Sequence, residues 1–170
     1  MLHLFLLRHG KSDWDAPSGS DHDRPLALRG ELAARRVGTF LSDLGQAPSS
    51  VVTSTAVRAR TTAELAAAAG SWNCSIRSTG DLYLAAPGAL LAEARAEVGG
   101  TQRLMLVGHE PSWSESVGMF IGGGRVRMVT AALARLDFAG KDWSQIDFGL
   151  ASLAWLITPK LLDIDEERRS

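Results

Sequence analysis

Apolar runs and helical periodicities alternate along most of the chain. Leu2 to Leu7 is a brief apolar run that predicts a buried first strand. After a polar loop rich in Asp and Ser, the stretch from about Arg29 to Leu44 puts Ala33, Val37, Phe40, Leu41 and Leu44 on one helical face, with Gly45 as the residue that ends the helix. Val51-Val52-Thr53 predicts a short buried strand, and Ser54 or Thr55 can cap a second helix that runs through the Ala-rich segment to Gly70. A weaker strand is expected around Cys74 to Ser78. Pro87 suits the first turn of a third helix that ends at Gly99-Gly100, and Arg103 to Val107 is a fourth strand. Pro111 opens a fourth helix that ends in Gly122-Gly123-Gly124. Thr130 to Phe138 and Leu150 to Ile157 fit two more strands with a turn at Gly140, antiparallel to each other at a sheet edge. This order predicts an α/β fold with a mostly parallel central sheet. No repeat, linker or low-complexity tract divides the chain, so residues 1–170 are read as one domain whose charged end, 163–170, is a frayed tail.

Composition narrows the function. The chain of 170 residues is 45% hydrophobic and 22% charged, ordinary for a domain with a substantial core and unlike a disordered, collagen-like or coiled-coil sequence. With 18 Lys and Arg against 19 Asp and Glu, it lacks the basic excess of a nucleic-acid or anionic-membrane binder. Neither partner is expected, and any anion site must come from local arrangement. The single cysteine, Cys74, excludes an intramolecular disulfide and points to a reducing, cytoplasmic compartment. Leu2 to Leu7 has no basic segment before it and runs into Arg8-His9-Gly10-Lys11 instead of a cleavage site. Leu150 to Ile157 is far below the roughly 20 residues that span a bilayer.

The chemistry concentrates at strand ends. Leu4-Phe5-Leu6-Leu7-Arg8-His9-Gly10 and Leu104-Met105-Leu106-Val107-Gly108-His109 each run a buried strand into a histidine beside a glycine. In open parallel sheets ligands bind at the carboxyl ends of strands, so both imidazoles are expected in one crevice. The strand Val51-Val52-Thr53-Ser54 ends in the same layer and leads into a helix whose first turn carries Arg58. A helix N-terminus offers free N–H groups, and a guanidinium matches phosphate oxygens. Arg8 adds a second guanidinium, and Gly10 permits a tight turn close to a ligand. His9, His109, Arg8 and Arg58 together make a site sized for one phosphoryl group. Arg24, in the loop before the first helix, is a further candidate for contact with phosphate or a protein substrate.

Other features carry blander readings. His3 is expected to point outward from its strand, His22 to be a solvated loop residue, and Arg60 to be a solvated helix residue. A metal site built from His9, His109, His22 and nearby Asp would lack any short-spaced ligand pair, so neither a metal nor a cofactor is expected. The run Gly122-Gly123-Gly124 follows a helix and lacks the Lys-Ser/Thr of a P-loop. Trp14 and Trp113 either wall the pocket or pack in the core.

Arg8-His9-Gly10 resembles the signature of the histidine phosphatase superfamily, the phosphoglycerate mutase-like branch 1. Ser54-Thr55-Ala56-Val57-Arg58-Ala59-Arg60-Thr61 resembles its Ser-Pro-x-x-Arg-Ala-x-x-Thr segment, with Thr55 where Pro is usual, and Val107-Gly108-His109-Glu110-Pro111 resembles the segment of its second histidine. Asp23-Arg24-Pro25-Leu26, Leu82-Tyr83-Leu84-Ala85, Thr130-Ala131-Ala132-Leu133 and the short length are similar to the small SixA-like phosphohistidine phosphatases. The resemblance implies a three-layer αβα sandwich, a nucleophilic His9, phosphate-binding Arg58, and His109 as the second histidine of the site. It departs in one place. Where many relatives carry a Glu or Asp general acid, this chain reads Gly80-Asp81-Leu82-Tyr83-Leu84-Ala85-Ala86-Pro87, and Asp81 reads as a loop or cap residue.

The expected activity is therefore metal-independent phosphohydrolysis, with His9 attacking phosphorus, Arg8 and Arg58 holding the phosphoryl oxygens and His109 stabilising the transition state. A missing acid favours phosphohistidine, whose imidazole leaves readily, over phosphate esters. The expected partner is a phosphorylated protein of phosphotransfer type or a small phosphorylated compound. The rival readings are a small-molecule phosphomonoesterase, a non-catalytic phosphate-binding module and a metal-dependent hydrolase.

Overall fold

The computed structural model describes residues 1–98 and 100–163. Among these, six strands form one sheet: β1 (Leu2–Arg8), β2 (Ser50–Ser54), β3 (Ser75–Thr79), β4 (Arg103–Gly108), β5 (Leu133–Phe138) and β6 (Ala151–Ile157). Their order across the sheet is β3-β2-β4-β1-β5-β6. The first four are mutually parallel, β5 runs antiparallel to β1, and β6 antiparallel to β5. This is the mostly parallel sheet with an antiparallel edge that the strand pattern predicts.

Alternation within the strands explains the layers. Leu2, Leu4 and Leu6 of β1 and Leu104 and Leu106 of β4 face one core, with Leu82, Leu90, Trp113 and Phe120. Phe5, Leu7, Met105 and Val107 face the other, with Val37, Leu41, Ala59 and Ala63. The helices α1 (Leu28–Asp43) and α2 (Val57–Ala69) thus cover one face, and α3 (Pro87–Arg95) and α4 (Ser112–Phe120) the other. Strands β1 and β4 are buried on both faces, which is why their sequences read as unbroken apolar runs. Close helix packing has a local cause: a Cβ on Gly38 of α1 would collide with the backbone of Ala66 in α2.

Several boundaries differ from the sequence expectation. Helix α2 begins at Val57 after Ala56, and neither Ser54 nor Thr55 caps it; the Ser54 hydroxyl accepts from the Ala56 N–H at 3.2 Å, within the turn before the helix. Helix α3 ends at Arg95, short of the glycines, and Glu97 accepts a hydrogen bond from Ser50 on β2 at 3.0 Å. Gly99 lies outside the described residues. Strand β5 starts at Leu133, because Thr130 and Ala131 form a turn with Ala131 at φ 57°. The link from β5 to β6 is a long loop, not a turn at Gly140. It contains a 3-10 turn, Trp143–Gln145, whose buried Trp143 donates to the Thr101 carbonyl at 2.6 Å. Of the expected tail, Asp163 pairs with Arg36 and 164–170 lie outside the described residues. No helix of the described residues is long and apolar enough to cross a membrane.

Candidate active site

Three adjacent strands deliver the site. Arg8 is in register with Gly108, and the ladder extends one step further, with the His9 N–H donating to the Gly108 carbonyl at 2.9 Å. His9 and His109 therefore leave neighbouring strand ends side by side, their ring centroids 5.1 Å apart. Ser54, at the end of β2, reaches His109 Nε2 with its hydroxyl at 2.9 Å. Glycines allow this crowding. A Cβ on Gly10 would sit 2.6 Å from the Gly30 carbonyl oxygen, where the N-terminus of α1 packs on the His9 turn. A side chain on Gly108 would strike the indole of Trp113, which is fully buried and belongs to the core.

The His9 ring is oriented from both sides. Its Nδ1 lies 2.6 Å from the Gly10 carbonyl oxygen, an atom that can only accept, so Nδ1 carries the proton and Nε2 the lone pair. That lone pair faces the Nε–H of Arg58 at 3.4 Å. Burial foremost, then His109, Arg58 and Arg8, lower the His9 imidazole from 6.5 to about 3, against an opposing pull from the Gly10 carbonyl. His109 is lowered from 6.5 to about 4, again chiefly by burial, with Arg58 next and Asp21 working the other way. Both rings are neutral at pH 7, and a bound phosphoryl dianion would reverse much of that shift.

Arg58 is 5% exposed and comes from the first turn of α2. Its Nη1 donates to the Asp21 carbonyl at 2.6 Å and its Nη2 to the Asp21 carboxylate at 3.0 Å. Arg8 lies beside the histidines, close enough to lower both; its Nη1 donates to the Met128 carbonyl at 2.9 Å and its buried Nε has no partner among the described residues. Arg24 is buried, not exposed at a rim: Nη2 meets Asp21 at 2.6 Å, and the guanidinium lies 3.3 Å over the centroid of Trp14. Trp14 itself is 70% exposed, outside the core. Arg60 is exposed, as expected.

The two remaining histidines each have partners. His22 keeps 36% of its side chain exposed in its loop, and it is also engaged there: its Nε2 lies 3.0 Å from the Thr55 hydroxyl and its ring meets Tyr83 edge-on at 4.9 Å. Tyr83 in turn stands edge-on to His109 at 5.7 Å. His3 sits far from this cluster and pairs through Nδ1 with Asp137 on β5 at 2.7 Å.

Sequence reasoning missed Asp21, Tyr83 and Thr62. The hydroxyl of Thr62 accepts from the Gly10 N–H at 3.0 Å and donates to the Arg58 carbonyl at 2.7 Å, tying the His9 turn to α2. Counting from Ser54 places the last Thr of the motif on Thr62, one position beyond Thr61, a signal present in the sequence. Asp81 is exposed, and its N–H donates to Thr79 in a 3-10 turn, as a loop residue would. Among the described residues no group of three or more His, Cys, Asp and Glu side chains is placed to hold a metal ion. The arrangement can receive a tetrahedral anion between two imidazoles and two guanidinium groups.

A model of the histidine phosphatase superfamily (branch 1) matches residues 4–83. An uncharacterized protein of Mycobacterium tuberculosis is 33% identical over 165 residues, 91% of this chain and 100% of the relative. A Nakamurella multipartitia protein assigned as a phosphohistidine phosphatase SixA shares the fold with a TM-score of 0.80 at 27% identity, covering 93% of this chain and 96% of that one. The protein assigned likewise from Agrobacterium tumefaciens gives a TM-score of 0.76 at 27% identity, covering 93% and 98%.

Proposed function

Because this chain belongs to branch 1 of the histidine phosphatase superfamily, is SixA-like and is a phosphatase, we propose that it hydrolyses protein phosphohistidine through a covalent intermediate on His9, without a metal. The observation that carries this reading is the His9 ring itself. Gly10 holds the proton on Nδ1, and the Nε2 lone pair faces a guanidinium. A neutral, oriented imidazole is a competent nucleophile at pH 7.

In the proposed reaction Nε2 of His9 attacks phosphorus in line. The new N–P bond forms as the substrate's own N–P bond breaks, and the departing imidazole takes its proton from solvent. Water then attacks the His9 adduct, releasing phosphate and the free imidazole. Arg58 and Arg8 supply positive charge to the phosphoryl oxygens, and His109 donates to them once the dianion has raised its affinity for a proton. Gly10 acts through its carbonyl, which orients the His9 ring, and Arg24 acts at one remove, through Asp21.

Substrate preference follows from the acids that are absent or unfit. Gly80 to Pro87 carries no glutamate, and Asp81 is exposed in its loop. Partial burial works to raise the Asp21 carboxyl, but Arg58 and Arg24 hold it below the usual carboxylate range, so it is ionised and donates no proton. A positioned acid is worth about 10²–10⁴-fold to an alkoxide leaving group. Phosphohistidine does without one. The exposed Trp14 beside the site suits a protein carrier over a small compound. The whole chain is proposed to act as one cytoplasmic domain.

A labelled phosphodonor tests the reading. The wild-type protein should acquire an acid-labile, base-stable label that His9→Ala lacks, should turn over a phosphohistidine protein faster than sugar phosphates, and should keep its activity in a chelator. A label that persists in His9→Ala would remove the nucleophile from the scheme, faster sugar-phosphate turnover would shift the substrate to esters, and chelator sensitivity would end the metal-free mechanism.

A further inference from the structure

We propose that Asp21 is a positioning residue for this reaction, holding one edge of the Arg58 guanidinium so that another edge is presented to the phosphoryl group over His9. A guanidinium offers two paired donor edges, an end edge made by Nη1 and Nη2 and a side edge made by Nε and Nη2. Asp21 takes the end edge, its carbonyl oxygen on Nη1 at 2.6 Å and its Oδ2 on Nη2 at 3.0 Å. The side edge is the one that faces His9, with Nε 3.4 Å from Nε2. The carboxylate therefore does not occupy the direction from which phosphate would be held. It fixes the rotation of the group that holds it.

The clamp is itself anchored. Oδ1 of Asp21 accepts from Arg24 at 2.6 Å, and Arg24 is stacked on Trp14. Oδ2 also accepts from the Tyr83 hydroxyl at 3.2 Å, and the adjoining His22 carbonyl accepts from the Val57 N–H at 3.0 Å. One side chain thus ties the loop before α1, the first turn of α2 and the segment after β3 to a single point. An arginine left without this anchor keeps its charge but regains rotational freedom, and a misplacement of about an ångström in a positioning group can cost roughly 100-fold in rate. Asp21 is about half exposed, so its ionised form is retained without the burial cost that a deep carboxylate would meet.

This inference rests on reading Arg58 as a phosphoryl ligand, and a double-mutant cycle separates the two. Asp21→Ala should lower kcat/KM about 30-fold on a phosphohistidine protein, mainly in kcat, and Asp21→Asn, which keeps an acceptor, should recover to within about tenfold of wild type. In an Arg58→Ala background, Asp21→Ala should change kcat/KM by less than about threefold, because its effect passes through Arg58. Thermal melts check folding, and if Asp21→Ala does not fold, Asp21→Asn completes the same cycle. Full additivity with Arg58→Ala, or an Asp21→Ala protein as active as wild type, overturns the positioning role alone. An Arg58→Ala protein with undiminished activity overturns the reading of the site, and the positioning role with it.

Discussion

His9 and His109 occupy matching places and are held by different kinds of atom. Each follows a doubly buried parallel strand, and their strands are neighbours in register. His9 rests against a carbonyl oxygen, which accepts and never donates, so its tautomer is locked with the lone pair on Nε2. His109 rests against the Ser54 hydroxyl, which can do either, and its buried Nδ1 has no partner among the described residues. One ring is prepared to give an electron pair; the other can change its proton as charge arrives. The division of labour between two like residues comes from what stands behind each ring.

The largest expected effect tests this division directly. His9→Ala should lose the phosphoenzyme and at least about 10⁴-fold in kcat/KM, as removal of a nucleophile does. His109→Ala should still form the adduct, about 10²–10³-fold more slowly, as loss of a transition-state donor does. Single-turnover labelling of both variants is the measurement; equal and complete loss in each would dissolve the contrast.

Acid pH sharpens it next. The folded imidazoles are lowered to about 3 and about 4 from 6.5, so between these values the unfolded chain binds more protons than the native one. Their contribution to stability is fully present above pH 6.5, falls as pH drops towards 4 and levels off below about 3. Denaturant unfolding followed against pH should show this slope, His9→Ala flattening it more than His109→Ala because its ring is the more depressed. In the free enzyme the acid limb of kcat/KM should lie near 3 to 4 and not near 6.5. A limb at 6.5 would mean that the empty site does not exclude the proton.

The smallest effect concerns what stands behind the second ring. Ser54→Ala should lower kcat about tenfold through loss of His109 orientation, and should have no further effect once His109 is alanine. It should also cost about 1 kcal/mol of stability, because the buried Ala56 N–H loses its acceptor. Unfolding midpoints measure the second effect independently of the first.

Much of this was legible beforehand. Leu2–Arg8 and Arg103–Gly108 read as buried strands because both of their faces are covered, and a histidine after each such run had to emerge at the same end of a parallel sheet. The edge pair β5 and β6 and the helix ending at Gly45 were legible from local pattern as well. The cap of α2 was not, since Ser54 turns its hydroxyl to Ala56 and His109 instead. Nor was the place of His22 or Asp21, whose loop has the polar composition of any exposed segment. Their partners Thr55, Tyr83 and Arg58 lie on other elements, and nothing in local periodicity marks a pairing across more than thirty residues.

The layering of the sheet, the histidines at its strand ends and the family of the chain can be read from the amino-acid order alone, because those depend on the burial pattern of short segments and on motifs confined to them. Which nitrogen of each histidine is free, the bracing of the His9 turn by Thr62 and the contact of Asp21 with one edge of Arg58 emerge only once the chain is folded. Those are matters of direction and of ångströms between side chains, set by how the loops pack on the sheet.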